Sequence, residues 1–228
     1  MNINDMFFSR KELEAMNFRS LGENVFIDRL TPIYKPEKIS IGSNVRIGSF
    51  CILSGDITIG DYVHIASYCF LNGTAGIELE AFSGMSAYSR IITSSSDYSG
   101  NFLANPTVPE SFRKDDSQKI ILKKHALMGS GALLLPGASL ELGTVLGAMS
   151  MLSKPTKAFG IYFGTPARYI GTREQNILAL EKELLLGVKT NGGGILIFII
   201  LELFWEAKYA PRRAKNLFYP RRVRIYEF

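Results

Sequence analysis

The chain is poor in the residues that make cross-links and metal centres. Its 228 residues include two cysteines, two histidines and one tryptophan. Two thiols cannot build a disulfide framework, and nothing beside them suggests a zinc site. The imidazoles, His64 and His125, lie 61 positions apart, which argues against a three-histidine metal centre of the carbonic-anhydrase kind. Residues 1–10 lack the apolar core of a secretory leader. The apolar stretch 194–201 falls well short of the ~20 residues that span a bilayer. Positive charge is not spread as a nucleic-acid footprint. Of the net +5, residues 191–228 carry +4, from seven Lys or Arg against three Glu, so the body of the chain is near neutral. Together these features fit a protein of a reducing cytoplasm with no nucleic-acid partner and no resident metal.

What the chain does have is a period of six. Ile41, Ile47, Leu53, Ile59, Ile65, Leu71 and Ile77 recur on one grid, and Ser83 and Ser89 extend the same phase. Four residues after each stands a small or β-branched residue: Val45, Cys51, Ile57, Val63, Cys69, Ala75, Ala81, Ala87 and Thr93. A second run, Leu122, Met128, Leu134, Leu140, Leu146 and Leu152, repeats the rule with Ala126, Ala132, Ala138, Thr144 and Ser150. Six fits neither a helix nor a sheet face. It predicts a parallel β-helix, in which each hexapeptide is one short strand and a turn, and three strands close a triangular coil. Both residue columns point inward, and coils must stack to bury them. Cys51 and Cys69, one coil apart, are expected as buried free thiols in the small column.

The grid divides the chain. Residues 1–20 read as a helical cap, with Ser9 and Glu12 as a capping box and Leu13 and Met16 as its apolar side. Residues 21–170 form the solenoid, with a break around Pro36 and an interruption over 94–119. That interruption carries Tyr98, Phe102 and Phe112, aromatics able to anchor it to another surface. A helix over 171–190 is expected from a box at Thr172 and Gln175, the stripe Ile177, Leu180 and Leu184, and a C-cap at Gly187. The tail 191–228 is apolar and then basic. It reads as a helix packed on its own assembly, or as a segment in peripheral contact with the inner face of a membrane through 194–224.

Several motifs are more specific than the period. Lys124-His-Ala-Leu-Met-Gly-Ser-Gly-Ala-Leu-Leu-Leu-Pro-Gly137, then Leu146-Gly-Ala-Met-Ser150, Ser153-Lys154 and Gly164-Thr-Pro-Ala-Arg-Tyr-Ile170, resemble the hexapeptide-repeat acyltransferases. The likeness is to the maltose/galactoside and surface-polysaccharide O-acetyltransferase branch, over roughly residues 21–186. It implies a left-handed β-helix, acetyl-CoA as co-substrate, a sugar or nucleotide-sugar acceptor and a homotrimer with its sites between neighbouring solenoids. By position, Ser130, Gly147, Ala148, Ser153 and Lys154 would line the thioester and pantetheine arm. Gly129, Gly131 and Gly147 would let backbone approach that arm closely, and Arg168 and Arg173 would meet phosphates.

The acceptor side departs from the family. Where the interrupting loop commonly carries a histidine base, this chain reads Ser95-Ser96-Asp97-Tyr98. Three explanations stand. Asp97, oriented by Ser96 or Tyr98, serves as base, or outward-facing His64 or His125 serves from a neighbouring coil. Alternatively the acceptor is an amine, which needs no base to attack a thioester. Or the chain is a catalytically impaired trimeric scaffold. A transferase acting on a small non-sugar acceptor is a further alternative.

Overall fold

A computed structural model describes residues 6–191. The tail expected to touch a membrane or its own assembly, 192–228, lies outside the described residues. The described chain forms two units, divided after Gln175.

The first unit is a left-handed parallel β-helix of three faces. The first face stacks Ser20–Leu21, Ile39–Ile41, the second halves of Ile52–Ile59 and Phe70–Leu79, Ile120–Leu122 and Ser139–Leu140. The second stacks Val25–Ile27, Val45–Ile47, His64–Ile65, Gly84–Met85, Leu127–Met128, Val145–Leu146 and Gly160–Gly164. The third stacks Ile33–Tyr34, the first halves of Ile52–Ile59 and Phe70–Leu79, Arg90–Ile92, Leu133–Leu134 and Met151–Leu152. The aliphatic column is buried throughout, as at Ile47, Leu53, Ile65, Leu134 and Leu146. Each such side chain is worth roughly 1.5–3 kcal/mol relative to exposure. Cys51 and Cys69 are free and buried, as expected; their thiols donate to the carbonyls of Ala66 (3.0 Å) and Ser86 (3.3 Å). The Cys69 thiol is held above its ordinary pKa by its hydrogen bond with Cys51 and by burial.

Beyond the two-residue slip at Pro36, where Ile33 pairs with Leu53 but Ile41 with Ile59, the grid slips a second time before the interruption. Leu71 pairs with Leu53 below and Ile91 above, while Ile77 pairs with Ile57 and Leu79 with Ile59. The coil through Asn72–Gly76 is therefore two residues longer. Asn72 Oδ1 accepts from Thr74 N–H (3.2 Å) and Thr74 Oγ1 (2.6 Å), a side-chain turn that absorbs the extra length. Beyond it the aliphatic column is Leu79, Met85 and Ile91. Ser83 and Ser89 fill the small slot, and Ala81 and Ala87 move to the partly exposed corners.

Two corners carry ladders of residues in the left-handed backbone region. Between the second and third faces stand Phe50, Tyr68 and Tyr88, with φ near +60°. Their rings stack at centroid distances of 5.0 and 4.8 Å. Between the first and second faces, Asn24 donates from Nδ2 to Asn44 Oδ1 (3.1 Å), Tyr62 stacks on Phe82 (4.7 Å), and Phe82 on His125 (5.2 Å). A positive φ is costly for such side chains, and ring stacking offsets part of that cost.

The ends and the interruption differ from expectation in detail. The helix α1, Arg10–Ala15, has the expected capping box. Glu12 also accepts from Arg29 at 2.8 and 2.7 Å, and this pairing, with Ser9, lowers its pKa to about 2. Pro36–Lys38 forms a short 3-10 turn at the expected break. The interruption is not structureless: Ser94–Ser96 pairs antiparallel with Asp115–Ser117. At the far end Gly160–Gly164 and Ala167–Thr172 form a hairpin. Thr172 therefore belongs to a strand, its hydroxyl 2.6 Å from Tyr169 Oη, and does not cap a helix. In the second unit, α2, Ile177–Asn191, starts instead at the carbonyl of Asn176 and runs through Gly187.

Candidate active site

The corners sort the expected site residues. Ser130, Gly147 and Ala148 lie on the second–third corner, where Met149 N–H donates to Ser130 O (2.8 Å). Ser153 and Lys154 lie on the third–first corner, and both are exposed. The third face runs between them, its outward row reading Ile52, Phe70, Arg90, Leu133 and Met151. The interrupting hairpin leaves from the third–first corner, after Ile92 on that same face. The donor-lining candidates and the hairpin thus share one side of the solenoid.

The two histidines do not. His64 points outward from the second face, in register with Arg46 and Gly84. The surrounding protein, and then the Arg46 charge, lower its pKa and favour the neutral ring. His125 stands at the first–second corner, buried, with φ +61° and its ring on Phe82. The outward-edge reading of His125 is corrected: its imidazole is a rung of the ladder. Within one chain neither histidine is on the hairpin's side.

Asp97 is half-buried at the hairpin. Its carboxylate accepts from Ser99 N–H at 2.5 Å, and its own N–H donates to Lys114 O at 2.9 Å. Hydrogen bonds from Ser99, with a smaller contribution from Lys114, hold it below the usual carboxylate range. A carboxylate stabilised in this way is a weak base. Ser96 Oγ donates to Asp115 Oδ1 (3.2 Å), and Ser95 Oγ to Tyr98 Oη (3.2 Å), so neither Ser96 nor Tyr98 hydrogen-bonds Asp97. Tyr98 is 88 % exposed, and Lys114 lies over the Phe102 ring at 5.6 Å.

Two donor-side readings acquire a structural reason. A Cβ on Gly129 would collide with the backbone of Ala148, and one on Gly147 with the Phe163 ring. These glycines serve coil-to-coil packing whether or not a ligand approaches. Arg173, half-buried, donates from Nη1 to His125 O (2.9 Å) and Gly143 O (3.1 Å), clasping two turns of the first–second corner. Arg168 is exposed on the closing hairpin. The ladder of Phe50, Tyr68 and Tyr88 was not read from the sequence. The available signal was an aromatic directly before the small column at 50, 68 and 88, once per coil.

A solenoid with exposed residues at both edges of one face, and a hairpin leaving from one of those edges, has the form of a β-helical acyltransferase. The sequence comparisons agree. The bacterial transferase hexapeptide family (six repeats) matches residues 38–73. A dTDP-4-amino-4,6-dideoxy-D-glucose acyltransferase of Escherichia coli is 37% identical over 173 residues, covering 75% of this chain and 90% of the relative. AntD, an N-acyltransferase from Bacillus cereus, solved with dTDP and 3-hydroxybutyryl-CoA, is 41% identical with a TM-score of 0.79, over 81% of this chain and 98% of that one. A variant of it solved with dTDP-4-amino-4,6-dideoxyglucose and coenzyme A matches over 80% and 98%, again at 41% identity and a TM-score of 0.79. The chain belongs to the hexapeptide-repeat acyltransferases, and it is an enzyme of that class. Neither relative is, by name, a maltose or galactoside O-acetyltransferase, the branch its motifs resemble.

Proposed function

We propose that the chain transfers an acyl group from a coenzyme A thioester to the amino group of a nucleotide-linked amino sugar, of the dTDP-4-amino-4,6-dideoxyglucose kind. The observation that carries this reading is the want of a competent base beside the hairpin. Among the described residues no histidine lies on that side, and Asp97 is held as a stable carboxylate. A hydroxyl acceptor would need such a base; a neutral amine has its own lone pair. The names of the two relatives support the same acceptor chemistry.

The amine nitrogen attacks the thioester carbonyl carbon, the carbon–sulfur bond breaks, and one proton passes from nitrogen to the departing sulfur. The products are an amide and free coenzyme A. Ser130, Ala148, Ser153 and Lys154 flank the face along which the pantetheine arm would lie, and Arg168 is the exposed cation for its phosphates. A homotrimer is part of the proposal. The outward row of the second face carries Phe26, Leu127, Val145 and Ile161, which suits packing against a second copy. The product would serve as a building block for surface polysaccharide. Thiol release from acetyl-CoA and 3-hydroxybutyryl-CoA, measured with the amino sugar nucleotide and with its 4-hydroxyl counterpart, tests the reading. Release with the amine alone supports it; release with the hydroxyl alone removes it.

A further inference from the structure

The corner ladder of Phe50, Tyr68 and Tyr88 stops abruptly. Its next rung is Gly131, with φ +71° and no side chain, placed directly above by the Gly131 N–H bond to Ala87 O (2.9 Å). Among the described residues Tyr88 has one ring partner, Tyr68 on its lower side, and Tyr88 is 59 % exposed. The space that a Gly131 side chain would take is entered instead by the thioether of Met149, itself 76 % exposed. Met149 is unbranched and easily moved. The ladder therefore offers one aromatic face with no ring on it, under a rung covered only by a displaceable side chain.

A cation stands beside it. Arg90 projects outward on the third face two residues after Tyr88. It is in register between Phe70 and Leu133, and it is exposed. Among the described residues it forms no ion pair, although its neighbours on the face are apolar. An unneutralised guanidinium next to an open ring matches a ligand with a planar base at one end and phosphate oxygens a pentose away. The same corner continues upward into Ser130 and Ala148, so a nucleotide held here would leave its sugar toward the donor-lining residues.

We infer that Tyr88 and Arg90, with the ringless rung at Gly131, form the subsite for the nucleotide part of the acceptor, the base displacing the Met149 thioether to stack on Tyr88 and the diphosphate meeting Arg90. This rests on the acceptor reading proposed above. The test is calorimetric binding of dTDP, and separately of coenzyme A, to the full chain and to Tyr88→Ala, Tyr88→Phe and Arg90→Ala, with light scattering on each. The expected result is dTDP binding weakened at least ten-fold in Tyr88→Ala and Arg90→Ala and kept in Tyr88→Phe. Coenzyme A affinity and assembly state should be unchanged in all three. Unaltered dTDP binding in the alanine variants would overturn the subsite while leaving the acceptor reading standing. Dissociation of the Tyr88→Ala assembly would overturn it by marking the ring as a subunit contact. Failure of the unsubstituted protein to bind dTDP would overturn subsite and acceptor reading together.

Discussion

At the scale of single residues, Asp97 separates a base-assisted attack from an unaided one. Its carboxylate is tied to Ser99 and its pKa is lowered, so it remains ionised across the neutral range. If it were the base, the rate would be flat there and fall only as pH drops through that lowered pKa. With an amine that attacks unaided, the rate climbs with pH until the amine is fully deprotonated, then levels. Asp97→Asn should accordingly keep turnover to within about ten-fold, about 1.4 kcal/mol in barrier, with the rising limb of its pH–rate profile unmoved. A loss of a thousand-fold, or a displaced limb, would return Asp97 to the chemistry. The sequence located the hairpin residue but not its state, because the Ser99 hydrogen bond depends on how the loop closes. His125 shows the same limit. Its position at a solenoid corner was legible, but its burial depends on Phe82, 43 positions earlier in the chain.

At the scale of elements, the ladders explain why bulky residues occupy backbone conformations that favour glycine. Tyr68 is stacked on both sides, by Phe50 and Tyr88. Tyr68→Ala removes both contacts while keeping the strained backbone, and should destabilise the fold by about 2 kcal/mol in denaturant unfolding. Tyr68→Asn should lose less, because asparagine tolerates positive φ and Asn24 and Asn44 already form such a rung. Equal losses would show that backbone strain plays no part. The strand columns were readable because inward burial repeats strictly every six residues. The slip at Asn72–Gly76 was not, because Ile77 sits in a buried position on either phase and Ser83 and Ser89 fit a small slot as well as the old grid. The C-terminal helix was misplaced for a related reason. Thr172 and Gln175 have the spacing of a capping box, yet pairing with Gly160 draws Thr172 into a hairpin.

At the scale of the whole molecule, one chain carries the candidate donor residues at both edges of its third face, a hairpin leaving from one of those edges, and an apolar outward row on the second face. The proposed trimer uses that second-face row. Leu127, 37 % exposed at the middle of the second face, should be a subunit contact. Leu127→Glu would place a charge in that contact and should yield monomers in light scattering with the β-rich circular dichroism spectrum retained. A trimer unaffected by this change would put the interface elsewhere. The most direct test of the central claim is mass spectrometry of the product formed from acyl-CoA and an equimolar mixture of dTDP-4-amino-4,6-dideoxyglucose and its 4-hydroxyl counterpart. The expected product is the amide alone. An ester as the main product, or no acylated nucleotide sugar while the thioester is bound, would contradict it.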